Sequence, residues 1–142
     1  MIKRLILRGA SIAPLLSALP LLPVHAQSQN LITLSCNGTA KYMASSNDMK
    51  PDPIAGLGVI VNLSERTVSF QGFTVPIVKA DNTTVNFSGE QTLNYRGEKL
   101  PPISIHGTID RVTGAVSIMF LQEHPQDNTT WDVQCRTTTR LF

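Results

Sequence analysis

The chain predicts an all-β domain, an antiparallel up-and-down meander closing into a small eight-stranded β-barrel, with a two-layer β-sandwich as the alternative. Three observations carry this. From Leu31 onward apolar and polar residues alternate with period two, as in Ile32-Thr33-Leu34-Ser35-Cys36, and helical periodicity is nearly missing. Runs rich in Val, Ile, Thr and Phe are separated at short intervals by Gly, Asn and Asp. The two cysteines, Cys36 and Cys135, fall on the apolar faces of the first and last of these runs.

The segment before the first strand reads differently. Lys3, Arg4 and Arg8 form a basic start, Gly9 to Leu22 is uncharged and apolar, and Val24-His25-Ala26 ends on a small residue. This is the pattern of a secretory signal peptide over residues 1–26, with Gln27 as the first mature residue. A membrane anchor would need about 20 consecutive apolar residues, whereas this stretch is short and interrupted by Pro14 and Pro20. Removing 26 of the 142 residues leaves one domain, 27–142, large enough for a single core.

The strands follow in order. The first spans about Leu31–Asn37. A polar connector, Gly38–Gly56, contains Pro51 and Pro53. The second strand spans about Leu57–Leu63, and the third about Thr67–Val78, with a parity break at Gln71-Gly72 that reads as a bulge or as a turn between two shorter strands. Further strands fall near Thr84–Ser88, Gln91–Arg96, Pro102–Asp110, Gly114–Gln122 and Thr130–Thr138, eight in all with the broken segment counted once.

Register follows from the same alternation, because a slip of one residue would set apolar against polar along a whole ladder. Around the turn Arg111-Val112-Thr113-Gly114, Ile109 faces Val116, Gly107 faces Ile118 and Ile105 faces Phe120. The same reasoning pairs Leu63 with Val68 and Val61 with Phe70, and Phe87 with Leu93 and Val85 with Tyr95. In an eight-stranded meander the first and last strands run antiparallel and meet on closure. In an oxidising compartment Cys36 and Cys135 then most simply form one disulfide across that seam, the alternative being two buried free thiols.

Charge and motifs exclude more than they specify. The leader takes three of twelve basic residues, leaving nine scattered cations against ten carboxylates, so the mature chain lacks the concentrated basic surface that nucleic acid requires. Two cysteines without Cys-x-x-Cys spacing make no zinc site. His106 lies on the polar face of its strand opposite Met119. His124 lies past the end of the next strand, roughly 17 Å further along the ladder at about 3.4 Å per residue, and neither histidine reads as a ligand. The chain contains no Gly-x-Ser-x-Gly and no Ser-x-x-Lys, and the hydroxyls within reach of His106 on its own strand are Ser104 and Thr108. Glu123 and Asp132 flank the His124 loop, and turn chemistry accounts for nearly all the other carboxylates. The reading is therefore no catalytic residues, no cofactor and no metal. Five Asn-x-Ser/Thr triplets begin at Asn37, Asn62, Asn82, Asn86 and Asn128; in a eukaryotic secreted protein they would be glycan acceptors, and otherwise they are what polar strand faces and turns supply.

The connector 38–56 is the candidate functional segment, since loops of that length in small domains carry contacts or cover a barrel end. Tyr42, Met43 and Met49 within it form a possible contact loop.

The start Leu34-Ser35-Cys36-Asn37-Gly38-Thr39, the turn Ile109-Asp110-Arg111-Val112-Thr113-Gly114 and the closing Cys135 strand resemble small exported alphaproteobacterial proteins of unknown function. That resemblance implies export and a structural role for these motifs, and it carries no activity. The layout is also similar to periplasmic lysozyme inhibitors, although their Ser-Gly followed closely by Tyr is matched only by Ser88-Gly89 with the distant Tyr95. Lipocalins have eight strands too, but the Gly-x-Trp of their first strand is missing here.

The expected function is thus an exported, non-enzymatic β-barrel, periplasmic or secreted, that binds an unidentified protein or small ligand in the cell envelope. No transmembrane span remains in the mature chain on this reading. The alternatives are an inhibitor of an exogenous hydrolase such as lysozyme, and an enzyme with a dispersed active site.

Overall fold

The computed structural model describes residues 30–43 and 50–138. The proposed leader 1–26 and Met49 of the proposed contact loop lie outside the described residues. Among the described residues ten strands form: β1 (Leu31–Tyr42), β2 (Asp52–Asn62), β3 (Thr67–Phe70), β4 (Phe73–Ala80), β5 (Thr84–Gln91), β6 (Asn94–Tyr95), β7 (Glu98–Lys99), β8 (Ile103–Asp110), β9 (Ala115–Leu121) and β10 (Thr129–Thr137). Eight of them close a barrel in the order β1-β10-β9-β8-β5-β4-β3-β2, and β6 and β7 form a separate two-stranded hairpin. Every paired neighbour in the barrel is antiparallel. The barrel, not the sandwich, is the architecture. Among the described residues no helix is long and apolar enough to cross a membrane.

The seam closes as the cysteines require. Cys36 lies directly across from Cys135 in the β1–β10 ladder, and the two are bonded with Cα atoms 4.0 Å apart. The β8–β9 register is also as the alternation dictates, with Ile109 across from Val116, Gly107 from Ile118 and Ile105 from Phe120.

The count of eight arises from two departures that cancel. The broken segment 67–78 is two strands, β3 and β4, joined by a turn in which Gln71 and Gly72 both take positive φ (43° and 83°). Segment 91–96 is not a barrel strand. Val85 pairs with Ile109 and Phe87 with Gly107, instead of with Tyr95 and Leu93. Alternation tests parity only, and these inward side chains satisfy it equally against either partner. Residues 92–102 instead leave the barrel as a protruding hairpin, turned by Arg96 and Gly97 at φ 52° and 86°.

The β2–β3 register differs by two residues. Val61 pairs with Val68 and Val59 with Phe70, so Leu63 enters the turn. There the Asn62 side chain accepts the Glu65 N–H at 3.0 Å and Arg66 takes φ 54°. A two-residue shift keeps every side chain on its face, which is why alternation is blind to it.

The connector 38–56 is mostly strand. β1 continues to Tyr42 and β2 begins at Asp52, with a register break between Cys36 and Gly38 on the β1–β2 side. That break explains the misreading, because a bulge interrupts the period-two pattern at the point where the sequence turns polar.

Inside, side-chain size divides the barrel along its axis. One end, reached by Tyr42, Asp52, the 71–72 turn, the 92–102 hairpin and the 122–128 loop, is filled by aromatic rings. Phe70 packs on Phe73, Phe87, Phe120 and Trp131 at centroid distances of 5.8–6.3 Å, and Phe120 meets Trp131 at 4.6 Å. Gly107 makes room for the Phe87 ring, which occupies the space a Cβ there would need. Toward the opposite end the inward residues are Leu34, Val61, Val68, Val85, Ile109 and Val116, all buried and all aliphatic.

Candidate functional site

Eight strands set a bore that side chains just fill or that holds one small ligand. Rings meet across it at the aromatic end. At the opposite end Val and Ile side chains are shorter, and a cavity of about 350 Å³ remains. Its wall is Ile32 and Leu34 from β1, Val61 from β2, Val85 from β5, Ile109 from β8 and the disulfide-bonded Cys135 from β10. Among the described residues no buried side-chain nitrogen or oxygen lacks a hydrogen-bond partner, so the wall offers a guest no unspent polar side chain.

The mouth is formed by Asp110, Arg111, Val112, Thr113 and Gly114, with Thr137 facing them. This turn is tied down on three sides. The Asp110 carboxylate accepts the Val112 and Thr113 N–H groups at 2.8 and 2.9 Å, closing the turn on itself. Gly114, at φ 76°, accepts the Cys135 N–H at 2.9 Å, and the Gln134 amide donates to the Thr113 carbonyl, linking the turn to β10. Arg111 donates its backbone N–H to the Thr83 carbonyl at 2.7 Å and its guanidinium to the Asp81 carbonyl, linking it to the neighbouring turn. The rim is therefore stiff, and Val112 stands at its edge with three-quarters of its surface exposed.

Two carboxylates, Asp110 on the rim and Asp81 on the neighbouring turn, are held in their charged form. The Thr83 and Thr84 N–H groups, with help from the Thr83 hydroxyl, hold Asp81 far below the usual carboxylate range. The Thr113 and Val112 N–H groups lower Asp110 in the same way.

The residues singled out in the sequence are dispersed. Tyr42 and Met43 lie at the aromatic end, both about half exposed, away from the cavity. His106 sits opposite Met119 on the outer face, and its Nδ1 is 2.8 Å from Ser88 Oγ, not from Ser104 or Thr108. That contact was hidden because it needs the β5–β8 pairing, which sets Ser88 across from His106. No carboxylate is hydrogen-bonded to this ring among the described residues. His124 lines a cleft with Leu100, Pro101 and Glu123 at the aromatic end, whereas Asp132 lies within β10 bonded to the Ser117 hydroxyl and Lys41. The structure does not bring Glu123 and Asp132 together as one cluster. Among the described residues no three His, Cys, Asp or Glu side chains gather as a metal site.

Comparison with models of protein families, with curated proteins and with solved structures yields no match. The class that fold and site define is a disulfide-closed, eight-stranded antiparallel barrel with an apolar cavity at one end.

Proposed function

We propose that this is an exported, non-enzymatic binding protein of the cell envelope, periplasmic or secreted, whose ligand enters the aliphatic end of the barrel. The observation that carries the reading is the 350 Å³ cavity with its apolar wall and stiff polar rim. Pockets that hold small ligands have this volume range and this division between apolar lining and a few fixed polar groups. Export is supported by the leader pattern of residues 1–26 and by the disulfide, which persists in oxidising compartments. A non-enzymatic role is supported by the half-buried Ser88 and the exposed His106, which meet on a strand face with no orienting acid bonded to the ring among the described residues.

Native mass spectrometry of protein exported from the full-length chain tests the reading. A species beginning at Gln27 that carries a small non-covalent adduct is expected. Retention of residues 1–26 would overturn export, and adduct-free protein that takes up no small apolar molecule would overturn ligand binding. Labelling of Ser88 by a fluorophosphonate would return the chain to the hydrolases.

A second reading, inhibition of an exogenous hydrolase such as lysozyme, draws on the opposite end. Tyr42, Met43 and the hairpin's Tyr95 all expose large side chains there. Lysozyme activity assayed with the protein in excess distinguishes the two, and unchanged activity would remove this alternative.

A further inference from the structure

We propose that the cavity takes a single unbranched alkyl chain of medium length, with a carboxylate head held at the rim by Arg111. The inference rests on the binding reading above and adds the chemistry of the ligand.

The tail follows from the wall. All five non-cysteine wall residues are aliphatic, and none presents a polar atom from its side chain. A polar group placed among them would give up its hydrogen bonds to water without replacement. The opening lies at the barrel's end beyond Ile109, and the aromatic cluster closes the far half, so a guest enters along the axis. A closed apolar cavity of about 150 Å³ holds benzene; this pocket, about 350 Å³ and open at its polar rim, admits an apolar body of at most roughly ten carbons. A bore fixed by eight strands is narrow, which favours a chain over a fused ring system.

The head follows from the rim. Among the described residues lining the cavity, Arg111 is the one cation and Asp110 the one anion. The two are not equally available. Asp110 spends one carboxylate oxygen on two backbone N–H groups. Among the described residues, Arg111 spends a single guanidinium N–H, on the Asp81 carbonyl, which fixes the group and leaves its other donors for a guest. A fixed guanidinium beside an apolar hole matches a carboxylate at the end of a hydrocarbon tail.

Calorimetry with alkanoates from hexanoate to tetradecanoate, each below its micelle concentration, tests the tail. Affinity should rise about fourfold per methylene, the equivalent of about 0.8 kcal/mol each, and level off once the cavity is full. Methyl NMR locates the guest, with Ile32 and Ile109 shifting on decanoate binding and Ile103 unmoved. Val61→Phe should abolish binding by filling the hole. If that variant does not fold, the methyl map of the native protein decides alone. For the head, decanoate should bind at least tenfold more tightly than decyltrimethylammonium, with decanol between them, and Arg111→Gln should erase that order while keeping the length dependence.

Two sources of the chain are separated by vesicles of phosphatidylglycerol and phosphatidylcholine. Decanoate binding without vesicle association assigns a free alkanoate, and vesicle association lost in Val61→Phe assigns a lipid acyl tail. Shifts centred on Ile103, affinity independent of chain length, or a preference for the ammonium head would overturn the proposal. Binding of indole but no alkanoate would overturn it and leave the cavity reading standing. Binding of neither would overturn both.

Discussion

Phe87 lies directly across from Gly107, and its ring occupies the space in which a Cβ at position 107 would stand. The pair sits between the aromatic half of the core and the aliphatic half that opens into the cavity. Phe87 is almost fully buried and packs in a tilted arrangement against Phe70 at 6.0 Å between centroids, so it yields only by disturbing the aromatic cluster.

Gly107→Ala is therefore expected to destabilise the fold by about 1–3 kcal/mol, the usual cost of forcing extra volume into a packed core. Phe87→Leu in the same chain should recover part of the loss. A double-mutant cycle from urea melts checks this, and additive effects would show that the two residues do not meet.

Breaking the seam should cost more. The Cys36–Cys135 bond closes a separation of 99 residues, nearly the whole domain. In the chain-entropy model a loop of that size is stabilised by about 4–5 kcal/mol, and measured bridges commonly deliver about 2–4 kcal/mol. Thermal melts with and without reductant should differ by at least 10 °C, and coincident melts would show that backbone pairing alone holds β1 to β10.

The protruding hairpin should be dispensable for folding. β5 and β8 pair directly from Thr84–Asp110 to Gln91–Ile103, so the ladder is complete without residues 92–102. Replacing those residues with Asn-Gly supplies a two-residue turn suited to antiparallel strands. The circular dichroism spectrum should remain that of a strand-rich barrel, with melting little changed. Loss of folding would mean that the hairpin supports the barrel rim.

Acid should loosen the cavity mouth before it unfolds the barrel. Asp81 and Asp110 both have lowered folded values, caused first by the Thr83 and Thr113 N–H groups respectively. A lowered carboxylate contributes stability that is complete above its unfolded value, near 4, and is lost as pH falls through the folded value. Asp81→Ala and Asp110→Ala should thus lower the melting temperature at neutral pH, with the gap to the native chain shrinking below about pH 4. A gap that stays constant to low pH would rule out the carboxylate charge as its source.

The sequence by itself determined the strand class, the face on which each apolar residue lies, the Ile105–Phe120 to Ile109–Val116 ladder and the two cysteines that meet. The class, the faces and that ladder depend on local alternation or on a short turn, where neighbours in sequence are neighbours in space. The cysteines, 99 residues apart, are placed by the parity of their strands together with closure of the meander. Tertiary structure alone decided that Phe87 pairs with Gly107 instead of Leu93, that Ser88 reaches His106, and that Val61 sits opposite Val68. Parity cannot choose between partners that present the same apolar face, or between registers two residues apart. It also cannot show where along the axis the large and small side chains fall. The cavity arises from that axial sorting, with Phe70, Phe73, Phe120 and Trp131 gathered toward one end and Val61, Val85 and Ile109 left to line the other. Residues from five strands share its wall only after the barrel has closed.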